Sequence, residues 1–386
     1  TMTMTKDQLK AIVCETIATH KGDIKKLAED IWAEPELGYK EVKTAKKVEA
    51  AFSALGVNYR NQLALTGVKA RLKGGKGSKH SIAVIGELDA IICAEHPEAD
   101  DLTGAAHCCG HNAQIANMMA VTIGLVKSGA MQYLAGDVVP FAVPAEEYVE
   151  LAYRNKLIEQ GKISYIGGKP ELISLGEFDD IDMAMQIHLT SVKPERETGF
   201  IEMSTTTNGF IGKLINYKGK ASHAAAAPHL GVNALNAAMM GIMGVNAIRE
   251  TFQEKDYIRF HPIITQGGDL VNVTPSDVRM ESYVRASNVP AMIDANERIT
   301  RALVAGAMSV GAEVEVKDLP GYLPLYNNDT LNDLLQHNAH DLIGEENVWV
   351  AGHMTGSTDT GDLSHIMPVS HPWIGAIRGG LHGKDY

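Results

Sequence analysis

Five short stretches of the sequence carry histidine, cysteine and acidic side chains of the kinds that bind divalent metals. A thiolate, neutral imidazoles and carboxylates suit Zn(II) and tolerate other first-row metals. Together they could ligate two ions and leave over one carboxylate and one imidazole, a set typical of hydrolases that attack an amide with metal-activated water. The stretches are His107-Cys108-Cys109-Gly110-His111-Asn112, Pro144-Ala145-Glu146-Glu147, His188, Ser222-His223-Ala224-Ala225 and Leu381-His382-Gly383.

The adjacent pair Glu146-Glu147 is the most informative of these stretches. It directly follows the apolar run 138–143, which reads as a buried strand. Two carboxylates at such a point would normally form a solvated turn. Beside metal ions, one can be a ligand while the other stays free as a general base, a role that typically contributes about 10²–10⁴ in rate.

Most of the metal-binding side chains follow predicted strands. Apolar positions at helical spacing predict one helix over 6–33 and another over 113–127. Apolar runs predict strands at 68–72, 81–86, 138–143 and 183–188, and the last two end at Glu147 and His188. Alternating strands and helices favour an α/β domain with a largely parallel sheet, in which ligands bind beyond the carboxyl ends of the strands.

The pattern changes near residue 197. From there the sequence predicts about four strands and two helices, one over 232–249 and one over 290–308. We interpret 197–318 as a small α+β sandwich inserted into a larger domain formed by 1–196 and 319–386.

Composition restricts the class of protein further. The chain has 386 residues, 45% hydrophobic and 21% charged, with a formal net charge of −12. This charge argues against binding to nucleic acid or an anionic membrane, although a local pocket could still accept an anionic substrate. No apolar run predicts a membrane span, and no signal peptide is visible at the start. Four cysteines are too few for a disulfide scaffold, so we expect a cytoplasmic protein.

Motifs along most of the chain resemble one enzyme family. It is the dinuclear metallopeptidase family of aminoacylases, auxin-conjugate amidohydrolases and aminobenzoyl-glutamate hydrolases, and the similarity is to its amidohydrolase branch, in which Cys replaces a bridging Asp. The matching motifs, besides the metal-binding stretches, are Glu36-Leu37-Gly38-Tyr39, Gly86-Glu87-Leu88-Asp89-Ala90, Gly219-Lys220-Ala221-Ser222-His223-Ala224-Ala225, Gly231-Val232-Asn233-Ala234-Leu235, Asn272-Val273-Thr274-Pro275 and Ser357-Thr358-Asp359.

The resemblance implies a set of metal ligands. Cys109 would bridge two ions, with His111, Glu147, His188 and His382 as the other protein ligands. Mn(II) is the metal that this branch often uses, whereas a Cys ligand favours Zn(II) as the alternative. The inserted sandwich would act as a lid and would carry the interface of a homodimer.

The resemblance also implies catalytic and substrate-binding residues. Glu146 would be the general base, and His223 would stabilise the oxyanion, usually in the active site of a partner subunit. Asn272, Arg285 and Ser357 would bind the substrate, with Arg285 suited to a carboxylate. On residue type alone, His223 also fits a surface histidine and Arg285 a surface ion pair.

The predicted reaction is hydrolysis of the amide bond of a small N-acyl or N-aroyl amino acid, or of a dipeptide, through a metal-bridging hydroxide. The residues at 148–150 are bulky where the family is often Gly-rich, so the sequence does not determine the identity of the substrate. One alternative is hydrolytic deamination of an aromatic amine at the same site, and another is a metal-binding scaffold without catalysis. Asp89 is expected to support ligands rather than bind metal. Relatives usually continue beyond the position of Tyr386 with another helix, so we expect the full protein to be longer.

Overall fold

A computed structural model describes residues 3–386. The chain forms two compact units. The first contains residues up to Thr205 together with Tyr326–Gly352 and Asp362–Tyr386, and the second contains Thr206–Leu325 and His353–Gly361. Residues 1 and 2 lie outside the described residues. They belong to the predicted domain 1–196 and to the segment in which no signal peptide is visible.

The first part of the chain alternates helices with short strands. Its helices are α1 (Lys6–Thr19), α2 (Lys21–Trp32), α3 (Val42–Ala54), α4 (His111–Lys127), α5 (Leu151–Glu159) and α6 (Gly168–Ser174). Its strands are β1 (Tyr59–Leu63), β2 (Gly67–Ala70), β3 (Ser81–Glu87), β4 (Ile91–Ile92), β5 (Ala105–Ala106), β6 (Asp137–Val143), β7 (Met183–Met185), β8 (His188–Ser191) and β9 (Phe200–Met203).

The second unit and the last part of the chain complete the elements. The second unit contributes β10 (Gly209–Lys218), α7 (Ala234–Ile248), β11 (Arg259–Phe260), β12 (Ile263–Gln266), β13 (Asp277–Ala286), α8 (Val289–Val310) and β14 (Glu313–Tyr322). Then follow α9 (Asp329–Ile343), β15 (Val348–Val350), α10 (Thr360–Ser364), β16 (Val369–Ser370) and β17 (Trp373–Ile377). None of the helices among residues 3–386 is long and apolar enough to cross a membrane.

The main sheet of the first unit confirms the predicted α/β class. Its strand order is β1-β2-β6-β3-β7-β16. The four strands from β6 to β16 pair in parallel, and β1 and β2 add an antiparallel edge. Every residue of β6 is buried, as is typical of a strand covered on both faces. A four-stranded sheet in the order β15-β9-β17-β8 was not predicted, because its strands are too short for a clear pattern.

The second unit is an α+β sandwich, as predicted. Strands β11-β13-β10-β14 form an antiparallel sheet, with β12 also paired to β13. Helices α7 and α8 share a buried core with this sheet, including Tyr217, Ala237, Val284, Ile299 and Leu303. The single strand predicted near 257–265 is two short strands, so this sheet has five strands among the described residues.

One predicted helix and two predicted domain boundaries differ from the structure. The helix predicted over 6–33 is divided between α1 and α2 at His20, whose ring bonds to the carbonyl oxygen of Thr16. The first unit extends to Thr205 rather than 196, because β9 pairs with β15 and β17 of that unit. The second unit extends to Leu325 rather than 318, because β14 continues to Tyr322 alongside β10.

Candidate metal centre

The candidate metal centre lies in the first unit, where the parallel strands β6, β3 and β7 end. Glu87 is the last residue of β3, Glu146 and Glu147 follow β6, and His188 follows β7. Carboxyl ends of neighbouring parallel strands meet at one edge of the sheet, so these side chains converge. Ala145 takes a positive φ of 51° between β6 and the glutamate pair, which turns the chain sharply at this edge.

Cys109 and His111 are positioned by a tight turn into α4. Gly110 has a φ of 82°, in the left-handed region that favours glycine, and it precedes the first residue of α4, His111. A side chain at this position would also crowd Leu189, since a Cβ would lie 3.0 Å from its side chain. The glycine therefore allows both neighbouring side chains to face the sheet edge.

Cys109, His111 and His188 form the first group of converging ligand atoms. The sulfur of Cys109 lies 3.5 Å from Nε2 of His188. Nδ1 of His188 lies 2.7 Å from the carbonyl oxygen of Leu189, and Nδ1 of His111 lies 2.8 Å from that of Asp89. Because each Nδ1 donates to a carbonyl, each neutral ring presents its unprotonated Nε2 as the possible ligand.

Cys109, Glu147 and His382 form the second group. Nε2 of His382 lies 3.1 Å from the Cys109 sulfur and 3.3 Å from Oε1 of Glu147. Asp89 supports this group as well, since its Oδ2 accepts a 2.8 Å hydrogen bond from the backbone N–H of Glu147. The two groups share one sulfur atom, so all five predicted ligands come together around Cys109.

These residues fit two divalent metal ions. Metal–sulfur bonds of about 2.3 Å and metal–nitrogen bonds of about 2.0–2.1 Å are compatible with the sulfur–nitrogen separations in both groups. Oε1 of Glu147 and Nε2 of His111 are buried and make no hydrogen bond in the structure. Buried polar atoms normally find a partner, and a bound cation would supply one here.

The electrostatics of the cluster agree with a cation site. Burial lowers the pKa of His188 to about 4, so its ring is neutral near pH 7. Burial would raise the pKa of Glu147, but its ion pair with His382 brings it down to about 2. Burial and Glu147 raise the pKa of the Cys109 thiol well above its usual range. A coordinating thiol is deprotonated outright by a bound divalent cation, so the thiolate here depends on the metal.

Glu146 belongs to a third converging group, with His111 and Glu87. Its Oε2 lies 3.7 Å from Nε2 of His111, and its side chain is largely buried. The structure therefore brings Glu146 close to the first ligand group without including it in either of the groups that contain Cys109. No role in the site was predicted for Glu87, although it belongs to a motif shared with the family and is an acidic residue at the end of a buried strand.

His223 and Asn272 lie side by side on the second unit. His223 pairs with Val273 in an isolated bridge, and the carbonyl oxygen of Asn272 accepts a 2.9 Å hydrogen bond from Ala224. Both residues are exposed. Nδ1 of His223 accepts bonds of 3.3 and 3.0 Å from the N–H groups of Ala225 and Ala226. The neutral ring therefore carries its proton on Nε2, which is a possible hydrogen-bond donor.

Arg285 and Ser357 also come together within the second unit. Nη1 of Arg285 donates to Oγ of Ser357 at 2.7 Å, and Nε donates to Nε2 of His261 at 3.1 Å. The guanidinium also lies 5.1 Å from the ring centre of Phe210 and 5.2 Å from that of Tyr283. The sequence placed Ser357 in the larger domain, but the segment 353–361 belongs to the second unit.

Comparison with known proteins points to one class, the metal-dependent hydrolases. Residues 205–307 match the family described as the peptidase dimerisation domain. The chain is 27% identical to the Xaa-Arg dipeptidase of Mus musculus, over 90% of this chain and 75% of that protein. It is 24% identical to an IAA-amino acid hydrolase of Arabidopsis thaliana, over 91% of this chain and 72% of that protein. It is 28% identical to a chain of the p-aminobenzoyl-glutamate hydrolase of Escherichia coli K12, over 80% of this chain and 60% of that one.

A solved structure supports the fold. The Bacillus subtilis protein described as a dinuclear metal binding peptidase from the M20 family superposes with a TM-score of 0.68, at 22% identity, over 95% of this chain and 92% of that one. The resemblance recognised from the sequence is confirmed: the chain is a homologue of dipeptidases, IAA-amino acid hydrolases and aminobenzoyl-glutamate hydrolases. Its fold is similar to that of a peptidase from the M20 family.

Proposed function

We propose that this protein is a metal-dependent amidohydrolase that cleaves the amide bond of a small N-acyl or N-aroyl amino acid, or of a dipeptide. The observation that carries the proposal is the pair of ligand groups that share the sulfur of Cys109, with the carboxylate of Glu146 close by. Two ions at one shared ligand are an arrangement suited to hydrolysis of an amide.

In this proposal, Cys109, His111 and His188 hold one divalent ion, and Cys109, Glu147 and His382 hold the other. When bound, the ions would activate water and polarise the substrate carbonyl. We favour Mn(II) from the family resemblance, with Zn(II) as the alternative that the sulfur and nitrogen ligands also suit.

Glu146 is proposed as the general base. Its carboxylate takes a proton from the attacking water and then delivers that proton to the nitrogen of the leaving amine. The geometry supports this role because Glu146 lies beside His111 but is outside both ligand groups that contain Cys109. Its burial limits competing solvent, which favours proton transfer to the substrate.

His223 is proposed to stabilise the negative charge that develops on the carbonyl oxygen. Hydrogen bonds at Nδ1 leave the proton on Nε2, the atom that would donate to this oxygen. As the family resemblance implies, we propose that His223 acts in the active site of a partner subunit in a homodimer. The match to a peptidase dimerisation domain over 205–307 supports a dimer formed through the second unit.

Asn272, Arg285 and Ser357 are proposed to bind the substrate. The mouse relative is named for Xaa-Arg dipeptides and the Escherichia coli relative for p-aminobenzoyl-glutamate. Both kinds of molecule end in an amino acid with a free carboxylate, which the fork of Arg285 could bind in a bidentate manner. Ser357 already accepts a bond from this guanidinium and would hold it in place. We also propose a cytoplasmic location, since Cys14, Cys93, Cys108 and Cys109 are all free thiols.

Product identification by mass spectrometry tests the proposal. Protein loaded with Mn(II) would be incubated with N-acyl amino acids, aminobenzoyl-glutamate, dipeptides and substituted anilines, with Glu146→Ala as the control. We expect a free amino acid to appear with the wild type only. Ammonia released from an aniline, with all amides untouched, would instead support the deamination of an aromatic amine. No turnover of any compound by a protein that holds two ions would support the non-catalytic scaffold.

A further inference from the structure

Two oppositely charged side chains are fully buried beside the candidate metal centre and have no role in the proposal above. Glu87 at the end of β3 and Lys169 in α6 both have 0% exposed side chains. Oε2 of Glu87 accepts a hydrogen bond from Nζ of Lys169. A buried ion pair is costly to desolvate unless the remaining polar atoms also find partners.

The second oxygen of Glu87 faces a metal ligand. Oε1 of Glu87 lies 3.3 Å from Nε2 of His111, and neither atom makes a hydrogen bond in the structure. Nδ1 of His111 is occupied by the carbonyl oxygen of Asp89. In the neutral ring, Nε2 therefore carries a lone pair, and it faces the lone pairs of a carboxylate oxygen. This juxtaposition is repulsive unless a cation, either a proton on Nε2 or a metal ion, lies between the two atoms.

We propose that Glu87 is a further ligand of the metal ion that His111 binds, because Glu87 converges with His111 although it lies outside the ligand group that contains Cys109 and His188. Lys169 holds the carboxylate through Oε2, which directs Oε1 to the ion. This inference rests on the proposed function, because it requires the two-metal centre. With Glu87, the ion assigned to Cys109, His111 and His188 would have one sulfur, two nitrogen and one oxygen ligand.

An oxygen ligand alters which metals this position accepts. Carboxylates suit harder ions such as Mn(II), whereas sulfur and nitrogen ligands alone favour softer ones such as Zn(II). Glu87 would therefore contribute more to Mn(II) binding than to Zn(II) binding. The positive charge of Lys169 limits the negative charge that the cluster accumulates from Cys109, Glu147 and Glu87.

The test compares wild-type protein with Glu87→Gln, which keeps the shape and still offers an oxygen to Lys169. The double variant Glu87→Gln/Lys169→Met covers the case in which the unpaired lysine destabilises the fold. Glu171→Gln is the matched control. Glu171 is a buried carboxylate in the same helix as Lys169, and it accepts hydrogen bonds from the backbone of Ser164 and Tyr165. It is in none of the ligand groups.

Two readouts are combined, neither of which is activity. Chelator competition measures the affinity of each site for Mn(II) and Zn(II). Absorption spectra of the Co(II) form report the thiolate of Cys109 through its charge-transfer band, and the coordination of the ion through its d–d bands. We expect Glu87→Gln to weaken Mn(II) binding at one site by about tenfold or more. We also expect it to change the d–d bands while the thiolate band remains.

The other outcomes separate the inference from the proposed function. If the affinity falls but the d–d bands stay those of the wild type, Glu87 acts through His111 and is not a ligand. If Glu87→Gln behaves like Glu171→Gln in both readouts, the ligand assignment is also overturned, while the two-metal centre stands. If the wild type binds no metal ion, the proposed function fails together with the ligand assignment.

Discussion

The two units present their functional residues in opposite ways. In the first unit the ligand cluster is mostly buried, and His111, His188 and Glu147 are each fixed by hydrogen bonds to neighbouring groups. In the second unit His223 and Asn272 are exposed, and their bonds are to the local backbone. The candidate metal ligands are thus held inside one compact unit, whereas the candidate residues of the second unit lie at its surface.

This difference determines what a substitution should change. Removing one of the five ligands from the buried cluster leaves other polar atoms without partners, so metal content and stability should fall together with activity. Removing an exposed group should alter turnover or substrate binding and leave metal content intact. Variants from the two regions therefore test whether this difference holds.

The largest effect is expected for Cys109→Ala, because this substitution removes the one ligand that both groups share. We expect the variant to lose both ions and to fall in kcat/KM by more than about 10⁴, since residues that act as a unit lose nearly all activity when one is removed. Elemental analysis of the purified protein measures the metal content. Two retained ions would contradict a shared ligand.

Glu146→Gln should have the next largest effect. The amide cannot accept a proton, so we expect kcat to fall by about 10²–10⁴. Because Glu146 is not in either group that contains Cys109, the metal content should remain that of the wild type. Steady-state kinetics and elemental analysis of the same preparation measure the fall in kcat and the metal content separately. Loss of an ion would instead make Glu146 a ligand.

His223→Ala tests the exposed region. Loss of one donor to the oxyanion typically lowers kcat by about 10²–10³. Metal content and thermal stability should be unchanged because the side chain is exposed. Mixing His223→Ala with Glu146→Gln subunits offers a sharper check. Activity should return in mixed dimers if each active site takes His223 from the partner, and the absence of recovery would place both groups in one chain.

The smallest effect is expected for Arg285→Lys, which keeps the charge and removes the planar fork. Hydrogen bonds to charged groups contribute about 1.5–3 kcal/mol, so KM should rise about tenfold or more for substrates with a free carboxylate. Substrates with an amidated terminus serve as the control and should bind equally to both proteins. An equal rise in KM for both kinds of substrate would mean that Arg285 supports the structure of the site and does not bind the carboxylate.

Much of the ligand cluster could be predicted from the sequence because its geometry follows from simple rules. Buried strands are recognisable by their apolar runs, and residues at their ends must converge, as Glu147 and His188 do. His382, in contrast, lies in a loop after β17 and joins the cluster only through the fold, so its role rested on the family resemblance.

Other features could not be read from local patterns. Lys169 lies in a short polar helix, and only the folded chain shows that its ammonium group is buried against Glu87. Ser357 lies in the segment His353–Gly361, which belongs to the second unit although the preceding Tyr326–Gly352 belong to the first. No local sequence pattern predicts this return of the chain. The strands of the four-stranded sheet are too short to be distinguished from loops by periodicity.

Anomalous diffraction from crystals grown with Mn(II) tests the shared-ligand centre, because it locates each ion. We expect two peaks, both within bonding distance of the Cys109 sulfur. One should also contact His111 and His188, and the other Glu147 and His382. A single peak, or two ions of which only one contacts Cys109, would contradict the shared-ligand centre on which the proposed hydrolysis depends.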